Sequence, residues 1–152
     1  MIYGTDIRRK EFKGKSIVAF VDFLGFSNEI KSKWYSQDDN PLERLRSFVW
    51  NINRSLSRQT SKLEKLSEVK HTYHGCRIKT FSDSTIIVYG FDNEPNSTQL
   101  LLGCLYVSQA IKHVWRNALK ARFTIRGGIE YGDIYWGSDV IAGPSFVSAY
   151  EL

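Results

Sequence analysis

Cysteine, proline, methionine and histidine are all scarce in this 152-residue chain, which has two, three, one and three of them. The two cysteines, Cys76 and Cys104, show no framework spacing, so both are expected as reduced thiols in a cytoplasmic protein. His71, His74 and Cys76 are close in sequence, but tetrahedral zinc needs a fourth donor and no partner is obvious. No apolar run approaches the roughly 20 residues of a membrane span. The longest, Ser16 to Phe26, is already interrupted by Asp22. Arg8, Arg9 and Lys10 are not followed by the apolar segment of a signal peptide, so no membrane partner is expected. Acidic residues are also the minority, 16 against 21 basic ones, for a net charge of +5. That excess suits nucleic acid and triphosphate ligands equally and decides between neither.

What is present is enough for a single domain with a real core over residues 1–152, without repeats or an evident linker. Residues 16–23 are rich in β-branched and aromatic side chains and read as a buried strand. Gly25 allows a turn after it, and Ser27 is expected to cap a short helix. Asp39-Asn40-Pro41 opens a second helix, carried by Leu42, Leu45, Val49, Ile52 and Leu56 to about Leu66. Its Arg44, Arg46, Arg54, Arg58, Lys62 and Lys65 read as a solvated face. Cys76 to Phe81 and Ser84 to Gly90 read as a hairpin turning at Ser82-Asp83. Leu101, Leu105, Ser108, Ile111, Val114, Trp115 and Leu119 mark a long helix. Phe123 to Tyr131 and Ile134 to Trp136 read as a strand pair bent at Gly132-Asp133, and Gly143-Pro144 opens a last helix. This order predicts an α+β domain on a ferredoxin-like plan, an antiparallel-rich sheet with helices packed on one face.

Two aspartates stand out in this plan. Asp22 ends the first apolar strand and Asp83 sits in the hairpin turn. A carboxylate within such segments costs several kcal/mol unless something compensates it. Two of them facing each other across neighbouring strands suggest a shared compensation, and a pair of divalent cations would supply it. Removing one carboxylate is then expected to relieve like-charge repulsion. The bland alternative is a helix cap at Asp22 and a turn residue at Asp83.

The sequence around these residues resembles the class III nucleotide cyclases. Val21-Asp22-Phe23-Leu24-Gly25-Phe26-Ser27 is similar to the family's first metal motif. Arg77-Ile78-Lys79-Thr80-Phe81-Ser82-Asp83 is similar to the second, with Ser82 where the family usually has glycine. Arg126-Gly127-Gly128-Ile129-Glu130-Tyr131-Gly132 matches its Arg-x-Gly-Ile-x-x-Gly strand, and Gly143 and Ala149 match anchors of the closing helix. The resemblance covers residues 16 to 152. The aromatic style and the ending Ala149-Tyr150-Glu151-Leu152 are most similar to the pyrimidine cyclases of bacterial anti-phage (Pycsar) signalling.

The resemblance implies a fold, a reaction and a set of roles. A ribose 3′-hydroxyl attacks the α-phosphate of a nucleoside triphosphate and pyrophosphate leaves. Asp22, Asp83 and the carbonyl of Phe23 would hold two Mg²⁺ or Mn²⁺ ions. Leu24, Gly25, Phe26 and Ser27 would turn backbone N–H groups toward the phosphates. Lys79 falls at a base-reading position, and the second such position holds Val140. A donor-only lysine favours uracil, so UTP is expected first and CTP second, with a purine (adenylate or guanylate) cyclase as an alternative. The resemblance also implies a homodimer with shared sites and a cyclic product read by a separate effector protein.

Two positions depart from the family. Val147 and Glu151 stand where many members carry a transition-state Asn and Arg, so Arg126 or Arg122 is expected to replace that cation. The chain stops where members usually continue through further strands, which reads as a truncated or abbreviated domain. Three rivals remain. An RNA-binding module should show an aromatic consensus that is absent, so no nucleic-acid partner is expected. A diguanylate cyclase should show a Gly-Gly-Asp-Glu-Phe-type hairpin, also absent. A catalytically inactive cyclase-like domain serving dimerisation or sensing is kept open by Val147 and Glu151.

Overall fold

The computed structural model describes residues 11–64 and 76–151, with the helix over 56–64 described by its backbone alone. Among the described residues, five strands and four helices follow one another as β1 (Phe12–Phe23), α1 (Phe26–Lys33), α2 (Pro41–Glu64), β2 (Cys76–Phe81), β3 (Ser84–Gly90), α3 (Ser97–Lys120), β4 (Ile125–Trp136), β5 (Ile141–Ala142) and α4 (Pro144–Tyr150). The sheet order is β2-β3-β1-β4-β5, and every neighbouring pair is antiparallel. This is the expected α+β plan, with β1 at its centre beside the hairpin.

β1 is apolar on both sides because both sides are covered. Ile17, Ala19, Val21 and Phe23 point into one core with Phe48, Ile52, Val107, Val114 and Phe123 from the helical layer. Val18 and Phe20 point the other way, into a smaller core with Ile86, Val88, Ile134 and Ala149. A strand buried on both faces reads as a continuous apolar run rather than an alternation. The second core corrects the expectation of helices on one face only, since α4 packs across β1 and β4 on the opposite side from α2 and α3.

The expected bend at Gly132-Asp133 is absent. β4 runs unbroken for 12 residues because β1 offers a partner of equal length, pairing Ser16 with Gly132 and Lys15 with Asp133. Lys15 Nζ then reaches Asp133 Oδ2 at 2.9 Å. The chain turns later, where the N–H of Gly137 donates to the carbonyl of Val140 at 2.8 Å, and the short β5 follows.

α3 opens on a reciprocal cap: the N–H of Gln99 donates to Asn96 Oδ1 and the N–H of Asn96 to Gln99 Oε1. Its sheet-facing stripe is small, comprising Gly103, Val107, Ala110, Val114 and Ala118. A Cβ on Gly103 would stand 2.8 Å from Ile17 Cδ1, so the glycine lets the helix lie close on the sheet. Four of the large residues that marked this helix in the sequence, Leu101, Leu105, Trp115 and Leu119, lie on its outer side and are exposed.

The cationic face assigned to α2 divides. Arg46 and Arg54 are exposed, with Arg54 stacked over Trp50. Arg44 is instead largely covered: its guanidinium lies 4.5 Å over the Phe123 ring and pairs with Glu29 and Asp39. The side chains of Arg58 and Lys62, together with Lys65, His71 and His74, lie outside the described residues. Among the described residues, no helix is long and apolar enough to cross a membrane.

Candidate active site

The carboxylate pair is positioned by the sheet centre. β1 pairs with β3 up to Asp22 opposite Ser84, and Asp83 immediately precedes Ser84 in the turn from β2. The N–H of Phe23 donates to the Asp83 carbonyl at 3.0 Å, which ties the hairpin turn to the end of β1. Ser82 makes the turn at φ 50, a left-handed conformation that glycine adopts at no steric cost. Asp22 and Asp83 both line a cleft of about 470 Å³ with Phe20, Ser84, Arg126, Tyr150 and Glu151.

Asp22 is not stranded in apolar surroundings. Its side chain is 19% exposed and already has partners. Ser84 Oγ donates to Oδ1 at 3.2 Å, and Arg126 Nε and Nη2 both donate to Oδ2 at 3.3 Å. Arg126 reaches it because the β1–β4 register sets Arg126 directly opposite Asp22. Arg122, the other cation weighed from the sequence, pairs with Asp39 and does not line this cleft. Val147 is exposed on α4, whereas Glu151 lines the cleft, so a third carboxylate stands where the family resemblance implies a cation.

The turn after β1 differs from the expected Ser27 cap. α1 starts two residues earlier, at Phe26, and its cap position is Gly25 in the left-handed region at φ 77. The carbonyl of Gly25 accepts from the N–H groups of Asn28 and Glu29, while the N–H of Leu24 is committed to the Thr124 carbonyl at 2.9 Å. Leu24 therefore has no donor to offer an anion. Among the described residues, the N–H groups of Gly25, Phe26 and Ser27 find no backbone acceptor, as expected at a helix start. The Phe26 ring is buried, locking the turn to the core against Phe23 and Phe123.

A second cleft, of about 440 Å³, adjoins the first and shares Phe20, Ser84 and Tyr150 with it. Phe81, Ile86, Asp139, Val140, Ile141 and Phe146 complete its lining. Lys79 is held at this end rather than waving in solvent: its Nζ donates to the Ser138 carbonyl at 2.6 Å and sits 5.1 Å from the centre of the Phe81 ring. Tyr150 stands between the clefts, edge-on to Phe20 at 5.1 Å and largely exposed. Phe81, Asp139 and Tyr150 were not among the site residues expected from the sequence. Phe81 could have been found by strand alternation, since it shares a face with Lys79 two residues earlier.

Among the described residues, no group of three or more His, Cys, Asp or Glu side chains is placed to hold a metal ion unaided. The oxygen donors present still fit a hard divalent cation. Mg²⁺ commonly binds through one or two carboxylates and completes its shell with water and phosphate oxygen. Asp22 and Asp83 are such a pair, on neighbouring strand ends at an open cleft.

No protein-family model matches the chain, and no curated protein sequence does. Among solved structures it is similar to the adenylyl cyclase CyaB from P. aeruginosa, with a TM-score of 0.53 and 19% sequence identity over 93% of this chain and 72% of that one. The likeness establishes a cyclase-like fold.

Proposed function

We propose that the chain is a nucleotide cyclase of the class III type. It would convert a pyrimidine nucleoside triphosphate, UTP before CTP, into the 3′,5′-cyclic monophosphate and pyrophosphate. The observation that carries this reading is the convergence of Asp22 and Asp83 on one cleft beside the N-terminus of α1. The neighbouring cleft with Lys79 at its end extends it, and the cyclase-like fold is consistent with it.

In the reaction the ribose 3′-oxygen bonds to the α-phosphorus. The bond from that phosphorus to the bridging oxygen breaks, and the 3′-hydroxyl proton passes to water. Asp22, Asp83 and the Phe23 carbonyl would hold two Mg²⁺ or Mn²⁺ ions, which would supply Lewis acidity at the hydroxyl and charge neutralisation at the phosphates. The N–H groups of Gly25, Phe26 and Ser27 would orient the phosphate tail. Arg126, bound to one oxygen of Asp22, would be the cation that turns toward the α-phosphate as charge builds there. Lys79 would donate to a pyrimidine carbonyl beside apolar Val140.

By the same reading the active species is a homodimer in the cytoplasm that shares its sites between chains. Its product would be a second messenger of anti-phage defence, read by a separate effector. Glu151 at the cleft favours one alternative, an inactive cyclase-like domain used for dimerisation or sensing. Incubating the protein with UTP, CTP, ATP and GTP and Mn²⁺, then separating the products, decides between them. Cyclic UMP as the main product, lost in Asp83→Ala, is expected. No turnover of any triphosphate by the folded protein refutes the enzyme in favour of the inactive domain.

A further inference from the structure

Among the described residues, α3 is apolar on two opposite sides, and only one of them packs against the sheet. Gly103, Val107, Ala110, Val114 and Ala118 face the sheet. On the outer side Leu101, Leu105, Trp115 and Leu119 are 61%, 53%, 46% and 48% exposed. With Ser108 and Lys112 these residues form one stripe with steps of four, three, four, three and four, spanning about 27 Å at 1.5 Å per residue. Such spacing is the narrow seam by which one helix packs along another, not the broad apolar face that lies on a bilayer.

The seam reads the same from either end. Reversed about Ala110, it sets Leu101 against Leu119, Leu105 against Trp115 and Ser108 against Lys112. Every large apolar residue meets another, and the one charged position meets a small hydroxyl that can accept its hydrogen bond. The charges agree with this arrangement. From Ser97 to Ile111 the helix carries no charged side chain, while Lys112, Arg116 and Lys120 all lie in its second half. A parallel pairing would bring the two cationic halves together. An antiparallel one lays each along the uncharged half of its neighbour.

We propose that the outer face of α3 is a self-association surface, on which a second copy of this chain packs its own α3 antiparallel about a two-fold axis near Ala110. A self-complementary patch of this kind is what an isologous two-fold contact requires. The surface lies on the opposite side of the sheet from the carboxylate cleft and is independent of the proposed activity.

Sedimentation equilibrium and cysteine cross-linking test it together. Leu105→Lys places a positive charge twice in the symmetric seam, beside Lys112 and Arg116 of the second copy, and should weaken this association roughly a hundredfold or more, leaving a species of half the wild-type mass. Because Leu105 is exposed, circular dichroism of the variant should match wild type. In a Cys104→Ser background, the pair Leu101→Cys and Leu119→Cys should oxidise to a covalent dimer, whereas Leu101→Cys alone should not. A wild-type monomer at high micromolar concentration overturns the proposal. So does unchanged mass in Leu105→Lys, or cross-linking of Leu101→Cys to itself.

Discussion

Replacing Asp22 by asparagine separates a metal ligand from a structural carboxylate. Asn keeps the shape and leaves an oxygen for Ser84, whose hydroxyl now donates to Asp22 Oδ1 at 3.2 Å. What is lost is the pair with Arg126, two contacts of 3.3 Å to one oxygen, with side chains 19% and 60% exposed. Solvent screens a pair of that exposure, so its contribution is about 0.5 kcal/mol. For a domain of this size that lowers Tm by only about 1–2 °C. The sequence alone pointed the other way, to a gain from relieved repulsion, because it did not show Arg126 on Asp22. Metal should produce the larger signal. A cation at a hundredfold excess over its Kd stabilises the folded chain by about 2.7 kcal/mol, or roughly 5–10 °C. Thermal melts followed by circular dichroism, with and without Mn²⁺, read both numbers. The expected result is a Mn²⁺-dependent rise in wild type, no rise in Asp22→Asn, and nearly equal melting temperatures without metal. An equal rise in both proteins, or none in wild type, refutes the ligand assignment. A metal-free drop above about 10 °C would make Asp22 a structural residue instead.

Arg126→Lys should keep part of any cyclase activity and Arg126→Ala should lose about a hundredfold or more in kcat with little change in KM, because the cation acts on charge formed in the transition state; a loss confined to KM would make Arg126 a binding residue. Lys79→Glu should lower UTP turnover relative to CTP in equimolar competition, since an acceptor would then face a carbonyl in uracil and an amine in cytosine; an unchanged ratio removes Lys79 from base selection. Gly127→Ala should cost about 3 kcal/mol in urea unfolding, because its Cβ would stand 2.1 Å from the Phe20 carbonyl oxygen; a loss below 1 kcal/mol would mean that β4 can slide. One thiol, the exposed Cys104, should react with a disulfide reagent at pH 8 in the folded protein, because burial pushes the Cys76 thiol up to about 12; two fast thiols would contradict the packing of β2.

The order of elements was legible because their periods are clear and their ends are punctuated. Asn40-Pro41, Ser82-Asp83 and Gly143-Pro144 all fall at real boundaries. The errors arose where a local signal met a long-range partner. Gly132-Asp133 reads as a turn, but the β1 ladder holds it extended. Arg44 reads as a surface cation, but Phe123, far along the chain, gathers it in beside Glu29 and Asp39. In α3 the large apolar residues mark the helix correctly while misnaming its inner side. Small residues make the sheet contact there, and hydrophobic spacing cannot tell a core stripe from an outward one when both are present.

The site shows the same division more sharply. Asp22 and Asp83 could be singled out because a carboxylate at the end of an apolar strand is conspicuous in one dimension. The partners that set their chemistry could not. Arg126 meets Asp22 through a register fixed only when β1 and β4 pair over 12 residues. Tyr150 enters because α4 folds over the face left bare by α2 and α3, a packing that no local pattern announces. Its neighbour Glu151 then lines the carboxylate cleft. Glutamate there opposes any triphosphate, and Arg126 is the cation lining that cleft that can offset it. On the proposed reading, activity would depend on whether Arg126 leaves Asp22 when a divalent cation arrives. The two Arg126 substitutions and the Asp22→Asn melts measure the two halves of that exchange separately.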